Sequence, residues 1–528
     1  MHDADVIVIG SGHNGLASAM YLARAGWKVV VLEQSAIPGG AAKSGEITKP
    51  GFIHDLYATN LGLFLGSPVY RDFSAQLAAS GLALDVASKP YASVFPNGTA
   101  LSIDTDAQTT ASNISAFSPQ DAQSWQQLVE YFQRVAPYLF PLLQMPVPSL
   151  AFGRGIFRMA RSLGWVGAQE LLSLLLQSPR EFVESRFVSR EMQALLIPWG
   201  FHLDYGPDVS GGATFPFLES VADHLNGMAI AHGGISNLIH SMIRVITDHK
   251  GQVEVNARVE QILTDNRGRA VGVRLAGGQT LTAKKAVLAN VNVRRLFESL
   301  VDPTVVNHGY LNRVRRFRFG PGTMMIHLAL SGPVPWVSPD VARSMYVHIG
   351  PYVDEVSRTY QQAVSRYLPD SPLLVVGQQS QWDRSRAPGR AHTLWIQVRA
   401  VPGHPVGDAA GTIAVGDWTQ MGPLYAQRVL DKMEPYAPGL NNQILGMTVM
   451  TPQDLENDNP NLVAGDSISG SHHLDQFYFL RPIPGWSRYR TPVPGLWVVG
   501  ASTWPGGGLN AVSGYLAAQA LLKGGWRH

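Results

Sequence analysis

Three observations predict an α/β fold built on a parallel sheet. A continuous apolar run, Val6 to Ile9, opens the chain and ends directly in Gly10-Ser11-Gly12-His13-Asn14-Gly15. A second apolar strand, Trp27-Lys-Val-Val-Val-Leu32, follows about one helix later and carries Glu33 at its tip. Near the far end of the chain, Gly495-Leu-Trp-Val-Val-Gly500 repeats the first pattern and runs into another glycine-rich turn. Uninterrupted apolar strands of this kind belong to sheets covered on both faces, which are mostly parallel.

The first forty residues justify the assignment element by element. Gly10 permits a tight turn after the strand, Gly12 lets backbone approach a pyrophosphate, and Gly15 lets the helix expected over 16–25 pack close to the strand. The unpaired N–H groups at that helix start then face the phosphates. Gly26 suits the left-handed residue that ends the helix. Glu33 is placed to accept hydrogen bonds from ribose hydroxyls, and its charge disfavours a 2′-phosphate. Pro38-Gly39-Gly40-Ala41 follows, a second place where backbone comes close to a cofactor.

Composition bounds the function classes. Charged residues make up 15% of the 528 residues, below the usual quarter or so, which fits an apolar cavity or patch. The formal net charge is +2 with no long basic run, so nucleic acid is not an expected partner. The chain has no cysteine, which excludes disulfides, thiolate metal sites, a dithiol redox pair and a cysteine nucleophile. No metal site is expected. The N-terminus enters a buried strand at once, without a leader pattern, and no run of eighteen apolar residues occurs. A cytoplasmic location is the expectation.

The middle of the chain changes character twice. Over 71–230 a helix-start signal at Ser118-Pro-Gln-Asp opens a helical pattern through Leu128, Phe132 and Val135. From Leu139 to Phe187 the chain is rich in Leu, Phe, Met and Pro, with Arg154, Arg158 and Arg161. That mixture reads either as a helical cap over the rest of the protein or as an amphipathic surface on a bilayer, a peripheral membrane contact. Over 231–295 α/β patterning returns, with a helix after Gly233-Gly234 and short strands at Val253–Val255, Val259–Leu263, Ala270–Leu275 and Lys285–Asn290. Over 296–465 strands such as Thr323–Leu330 and Thr393–Val398 mix with a helix near 425–432, and the pattern does not fix their topology.

The two ends together point to one long ligand. After Gly500 come Ala501-Ser-Thr-Trp-Pro-Gly-Gly-Gly508-Leu509-Asn510-Ala511 and a further helix, a second place that favours partial negative charge. FAD fits a pyrophosphate at one end and a flavin at the other. Hydride accepted at flavin N5 builds negative charge near the N1 and C2 carbonyl side, where a helix start is favourable. No second strand–GxGxxG–helix unit is present for a nicotinamide nucleotide, so oxygen or a quinone is the expected electron acceptor.

Four stretches carry a family resemblance: Val-Ile-Val-Ile-Gly10 to Leu16, Glu33 to Ala42, Leu480-Arg481-Pro482, and Val499 to Gly508. The chain resembles the phytoene-desaturase-related FAD-dependent oxidoreductases, nearest to the carotenoid desaturase and monocyclic β-carotene ketolase-like branch. The resemblance implies a Rossmann-like FAD-binding domain of the amine-oxidase and phytoene-desaturase type, with an inserted substrate domain and a helical cap. FAD-binding segments are then expected at 1–70, 231–295 and 466–528, a cap at 71–230 and a substrate domain at 296–465. The expected cofactor contacts are Gly10, Ser11, Gly12, Asn14, Gly15, Glu33, Gln34, Gly39, Gly40, Ala41, Val259, Gly500, Ala501, Leu509, Asn510 and Ala511, with the backbone of Val259 holding the adenine. Ala41 stands where relatives often carry arginine. Relatives place a histidine soon after a Gly-Asp or Gly-Asn pair, whereas here Gly465-Asp466 is followed by histidine only at His472 and His473.

Candidate catalytic residues are His473, Asp475, Arg481 and His202. Each has a structural alternative: a packed histidine, a helix-starting aspartate, an arginine tied to a carboxylate. The expected reaction is dehydrogenation or oxidation of a hydrophobic, polyene or carotenoid-like substrate by hydride transfer to flavin N5. Saturation of a double bond uses the same chemistry in reverse. Two other readings stand beside it, an oxidase or desaturase at a C–N bond and a flavin-loaded binding protein with little turnover. An amine calls for a carboxylate or aromatic cage beside the flavin and a polyene for an apolar tunnel.

Overall fold

The structure, a computed structural model, describes residues 3–527. Five parallel strands form its first sheet, in the order Leu496–Val498, Thr280–Ala289, Ala4–Ile9, Val29–Leu32, Gln252–Glu254. The first two apolar runs read from the sequence lie inside it, with Val6, Ile7, Val8 and Val31 free of solvent contact, and the third, Leu496–Val498, forms its edge. Strand Thr280–Ala289 is long enough to serve twice. Its first residues pair antiparallel with Ala270–Leu275, which pairs in turn with Val259–Thr264, while its later residues join the parallel sheet. Helices His13–Arg24, Ser236–Asp248 and Val512–Leu522 pack together against the sheet. Gly514 allows the first and last of these to meet, because a Cβ there would collide with the backbone of Asn14.

The second sheet runs Ile444–Met450, Gly322–Leu330, His392–Val401, Leu373–Gly377, Tyr346–Ile349, Tyr91–Val94, Ala100–Ile103. Its pairs are antiparallel except that between Tyr346–Ile349 and Tyr91–Val94. Two of these strands come from the stretch read as cap, where alternation over four residues was too short to stand out beside long helical patterns. One face of the sheet, with Ile326, Leu328, Ile396 and Val398, is covered by Trp418, Tyr425 and Val429 of helix Trp418–Met433. The opposite face, with His327, Trp395, Gln397, Arg399, Tyr346 and His348, turns toward the cap and the first sheet.

Helix Trp418–Met433 is pinned by Arg428, whose Nη1 and Nη2 donate to the two carboxylate oxygens of Asp408 at 2.7 Å each. Burial pushes the Asp408 carboxyl up, but Arg428 and the N–H groups of Ile413 and Thr412 outweigh it and hold it down at about 2. A depressed carboxylate contributes stability that is present above its ordinary value of 3.8 and is lost as pH falls through about 2. Urea unfolding of Asp408→Asn is therefore expected to show weaker stability at neutral pH and a flatter pH dependence between about pH 4 and 2 than the parent chain.

Helices Pro119–Leu143, Leu150–Leu176 and Thr214–Asn226 form the cap. Ser118 starts the first by accepting from the N–H of Asp121. The second is covered on one side only, through Met159, Leu171 and Leu174. Its other side exposes Leu150 (82%), Phe157 (70%), Trp165 (76%) and Val166 (66%). Among the described residues no helix is long and apolar enough to cross a membrane.

Candidate active site

A cleft of about 370 Å³ runs along the C-terminal ends of the parallel strands, where open α/β sheets bind ligands. It brings together Gly10, Gly12, Asn14, Glu33, Gln34, Gly40, Ala41, Val259, Gly500, Ala501 and Leu509. Of the expected contacts, Ser11, Gly15, Gly39, Asn510 and Ala511 do not line it; they stand behind its wall. At one end, helix His13–Arg24 begins with Gly12, no side chain caps it, and no acid lies in its first turn. Its first N–H groups are left for a ligand anion.

Glu33 sits at that end and its carboxylate is held in place. Ser11 donates to Oε2 from its N–H (2.9 Å) and its hydroxyl (2.7 Å), and the N–H of Ser35 donates to Oε1 at 2.9 Å. A carboxylate has about four acceptor positions, so one remains for the cleft. The Ser11 hydroxyl also accepts from the N–H of Gly39 at 3.1 Å. Ser11 thus ties the first glycine turn, the acid and the Gly39-Gly40 turn into one unit.

Asn290 is the residue that the local motifs did not reveal. It follows strand Thr280–Ala289, and its Nδ2 donates to the carbonyl of Gly12 at 3.3 Å. A Cβ on Gly12 would lie 2.8 Å from that Nδ2, on Gly15 3.0 Å from it, and on Gly500 2.7 Å from Oδ1. A Cβ on Gly10 would lie 3.1 Å from the Asn290 carbonyl. The glycines of both chain ends therefore make room for one carboxamide as well as for a ligand. The sequence signal was its place at the tip of a central strand.

At the other end of the cleft the helix start differs from expectation. Asn510 spends its side chain on the turn, donating to the carbonyls of Gly507 (3.1 Å) and Gly508 (3.3 Å) and accepting from the N–H of Val512 (2.9 Å). Ala511 is fully buried with a left-handed φ of 57°. The N–H of Gly514 is taken by Asn14 Oδ1 at 3.3 Å. Backbone at Gly500, Ala501, Ser502, Gly508 and Leu509 faces the cleft in their place.

The four catalytic candidates do not converge. Arg481 is fully buried and donates to the carbonyls of Ala501 (2.7 and 3.0 Å), Ser471 (2.8 Å) and Gly470 (3.1 Å). Its partners are carbonyls rather than the expected carboxylate, and it braces the 500–502 turn from behind. Asp475 lies at the surface in a two-pronged pair with Arg318 at 2.7 Å. His473, half-buried, bonds through Nε2 to the carbonyl of Asp204 at 2.8 Å. His472 accepts the N–H of Gly507 at 2.8 Å through Nε2, which leaves the proton on Nδ1. His202 is inside the cap among Trp199, Phe215 and His348, and burial holds its imidazole neutral.

Three polar side chains at or beside the cleft come from the fold rather than from a motif. Lys43, buried at the cleft wall, pairs with Asp458 at 2.9 Å, and the Tyr57 hydroxyl donates to the same carboxylate at 2.6 Å. This triad joins the nucleotide sheet to the second one. Beyond it, the Trp395 indole donates to the Tyr57 carbonyl at 3.1 Å and stacks on Tyr346 with ring centres 5.6 Å apart.

The sequence model of the family described as flavin containing amine oxidoreductase matches residues 15–410. Pyridine nucleotide-disulfide oxidoreductase domain-containing protein 2 of Rattus norvegicus is 28% identical, with 98% of this chain and 93% of the relative covered. The lycopene-forming phytoene desaturase of Pseudescherichia vulneris is 27% identical over 98% of each chain. Among solved structures, an oxidoreductase from Methanosarcina mazei superposes with a TM-score of 0.61 at 16% identity, covering 98% of this chain and 99% of its own. The disulfide in the rat relative's name has no counterpart here, since cysteine is absent.

Proposed function

As a member of the flavin containing amine oxidoreductase family this chain is an FAD-dependent oxidoreductase, and we propose that it dehydrogenates an activated C–H bond of a largely apolar, polyene-like small molecule. The observation that carries this reading is the continuity of the cleft, from an uncapped helix start at 12–15 to the glycine-rich turn at 500–509. In this reading the N–H groups at 12–15 hold the pyrophosphate, Glu33 the ribose, Val259 the adenine, and the backbone at 500–502 and 508–509 the flavin. When bound, FAD supplies the acceptor for the two electrons and the hydrogen that leave the substrate, and oxygen or a quinone takes them onward. The protein's part is orientation. In this reading the substrate lies toward buried Tyr57, Trp395 and Tyr346, beyond Lys43, and needs positioning more than a strong base.

Similarity to phytoene desaturases supports the apolar substrate. The exposed apolar side of helix Leu150–Leu176, flanked by Arg154, Arg158 and Arg161, supports its uptake from a membrane surface. A second reading, oxidation at a C–N bond, is favoured by Glu219 and Asp223, two buried acids near the Tyr91 and Tyr346 rings. Anaerobic mixing separates the two. The flavin absorbance of the holoprotein is expected to bleach with carotenoid polyenes and to persist with primary amines. Bleaching by amines alone would move the assignment to the C–N bond, and protein that neither carries nor takes up FAD would overturn both.

A further inference from the structure

We infer that the interior beside the cleft receives the carboxylate of a substrate that is otherwise apolar, with Arg399 as the residue that binds it. The inference rests on the function proposed above and specifies the polar end of that substrate.

Among the described residues three arginines are buried, and their surroundings differ. Arg386 lies between two carboxylates, Asp55 at 2.8 Å and Asp383 at 2.9 Å. Arg481 is wrapped by backbone carbonyls. Arg399, with 8% of its surface exposed, donates from Nη1 to the Ser467 hydroxyl at 3.2 Å, and its Nε meets no acceptor among the described residues. It forms no ion pair within 4.0 Å among the described residues. A buried guanidinium needs matching negative charge or acceptors, and of the three Arg399 has only the Ser467 hydroxyl within hydrogen-bond distance among the described residues.

The strand register fixes what surrounds it. Arg399 stands opposite Thr323 on one neighbouring strand and Leu373 on the other, on the inward face that also carries Gln397, Trp395, Tyr346 and His348. His348 bonds through neither ring nitrogen, and His202 Nε2, Ser93 Oγ and the Trp199 indole N–H are likewise without partners among the described residues. Both imidazoles are held neutral, burial being the main cause and Arg399 a further one. Each can give a proton to a second carboxylate oxygen. The donors thus outnumber the acceptors around Arg399, which is the surplus an anion fills.

The nearby acids do not cancel the charge. Burial pushes Glu219, Asp223 and Asp204 up toward their neutral forms, and the Asp466 carboxylate, which also attracts Arg399, accepts from the N–H groups of Gly320, Ile468 and Gly470. Ser467 completes the argument. It touches Arg399 and also lines the cofactor cleft, so a carboxylate held here leaves the adjoining carbon chain beside the cleft. The planar fork of arginine matches a carboxylate in particular.

The test compares octanoate, octanol and octylamine by calorimetry on the holoprotein, with FAD content measured in every sample. Octanoate is expected to bind roughly ten- to a hundredfold more tightly than octanol, the range for a hydrogen-bonded charge. Arg399→Gln is expected to erase that preference while retaining FAD, and Arg399→Lys to keep part of it. Equal binding of octanoate and octanol by the parent protein, an undiminished preference in Arg399→Gln, or a preference for octylamine would each overturn the inference. The heat of binding is read without turnover. Loss of FAD would thus strike the proposed reaction, whereas loss of the carboxylate preference strikes the Arg399 site alone.

Discussion

Gly12→Val is expected to fold and yet to bind FAD at least about a hundredfold more weakly, a loss near 2.7 kcal/mol. Gly12 has an ordinary φ of −61°, so the substitution strains no backbone. It acts through space, because the first added carbon falls 2.8 Å from Asn290 Nδ2 and the rest of the side chain enters the approach to the helix N–H groups. Flavin per polypeptide after purification, followed by titration with FAD, gives the measurement. Gly26→Ala provides the contrast. Gly26 has φ +82° with nothing within 4 Å of a Cβ, so alanine there costs about 1 kcal/mol of stability and leaves FAD affinity unchanged. Full flavin occupancy in Gly12→Val would show that the pyrophosphate does not lie against this turn.

Arg386→Met is expected to remove about 3–5 kcal/mol of stability, read as a lower urea midpoint. Arg386 donates from Nη1 to Asp55, from Nε to Asp383 and from Nη2 to the carbonyl of Ala231 at 2.7 Å. Asp55 in turn accepts from Ser44 (2.8 Å), Thr59 (2.6 Å) and the N–H of Ile235 (2.8 Å). One cation therefore ties together the hairpin after the first glycine turns, the approach to helix Ser236–Asp248 and the loop between two strands of the second sheet. Removing it leaves two carboxylates with no solvent contact, Asp55 without an ion-pair partner among the described residues and Asp383 with only the half-exposed His232 at 3.4 Å. Replacing both acids by asparagine in the same chain is expected to restore part of the loss, because the cost lies in the stranded charges. A loss below about 1 kcal/mol would show that the network opens to water and carries little of the fold.

How much of this was legible depends on the range of each interaction. Gly10, Gly12 and Gly15 could be read because a strand, a turn and a helix start lie within ten residues, and each glycine answers a local need. Glu33 could be read because it ends the next strand. Asp55 and Arg386 could not be paired, being separated by 331 residues with nothing local to mark either. Arg481 stood in a recognisable motif, yet the carbonyls that surround it could not be read. Whether a buried arginine meets substrate, carboxylate or carbonyl depends on which loops fold around it.

The sequence by itself determined the parallel sheet, the strand–turn–helix that opens it and the cofactor class, since these rest on uninterrupted apolar runs and on glycine spacing at the two chain ends. Tertiary structure alone decided that Asn290 stands between the glycines of both chain ends and that Asn510 serves its own turn rather than the cleft. It also decided that buried Arg399 meets the Ser467 hydroxyl and no ion-pair partner among the described residues. The physical reason is that a buried polar group is defined by its partners, and strand order, not sequence distance, chooses them.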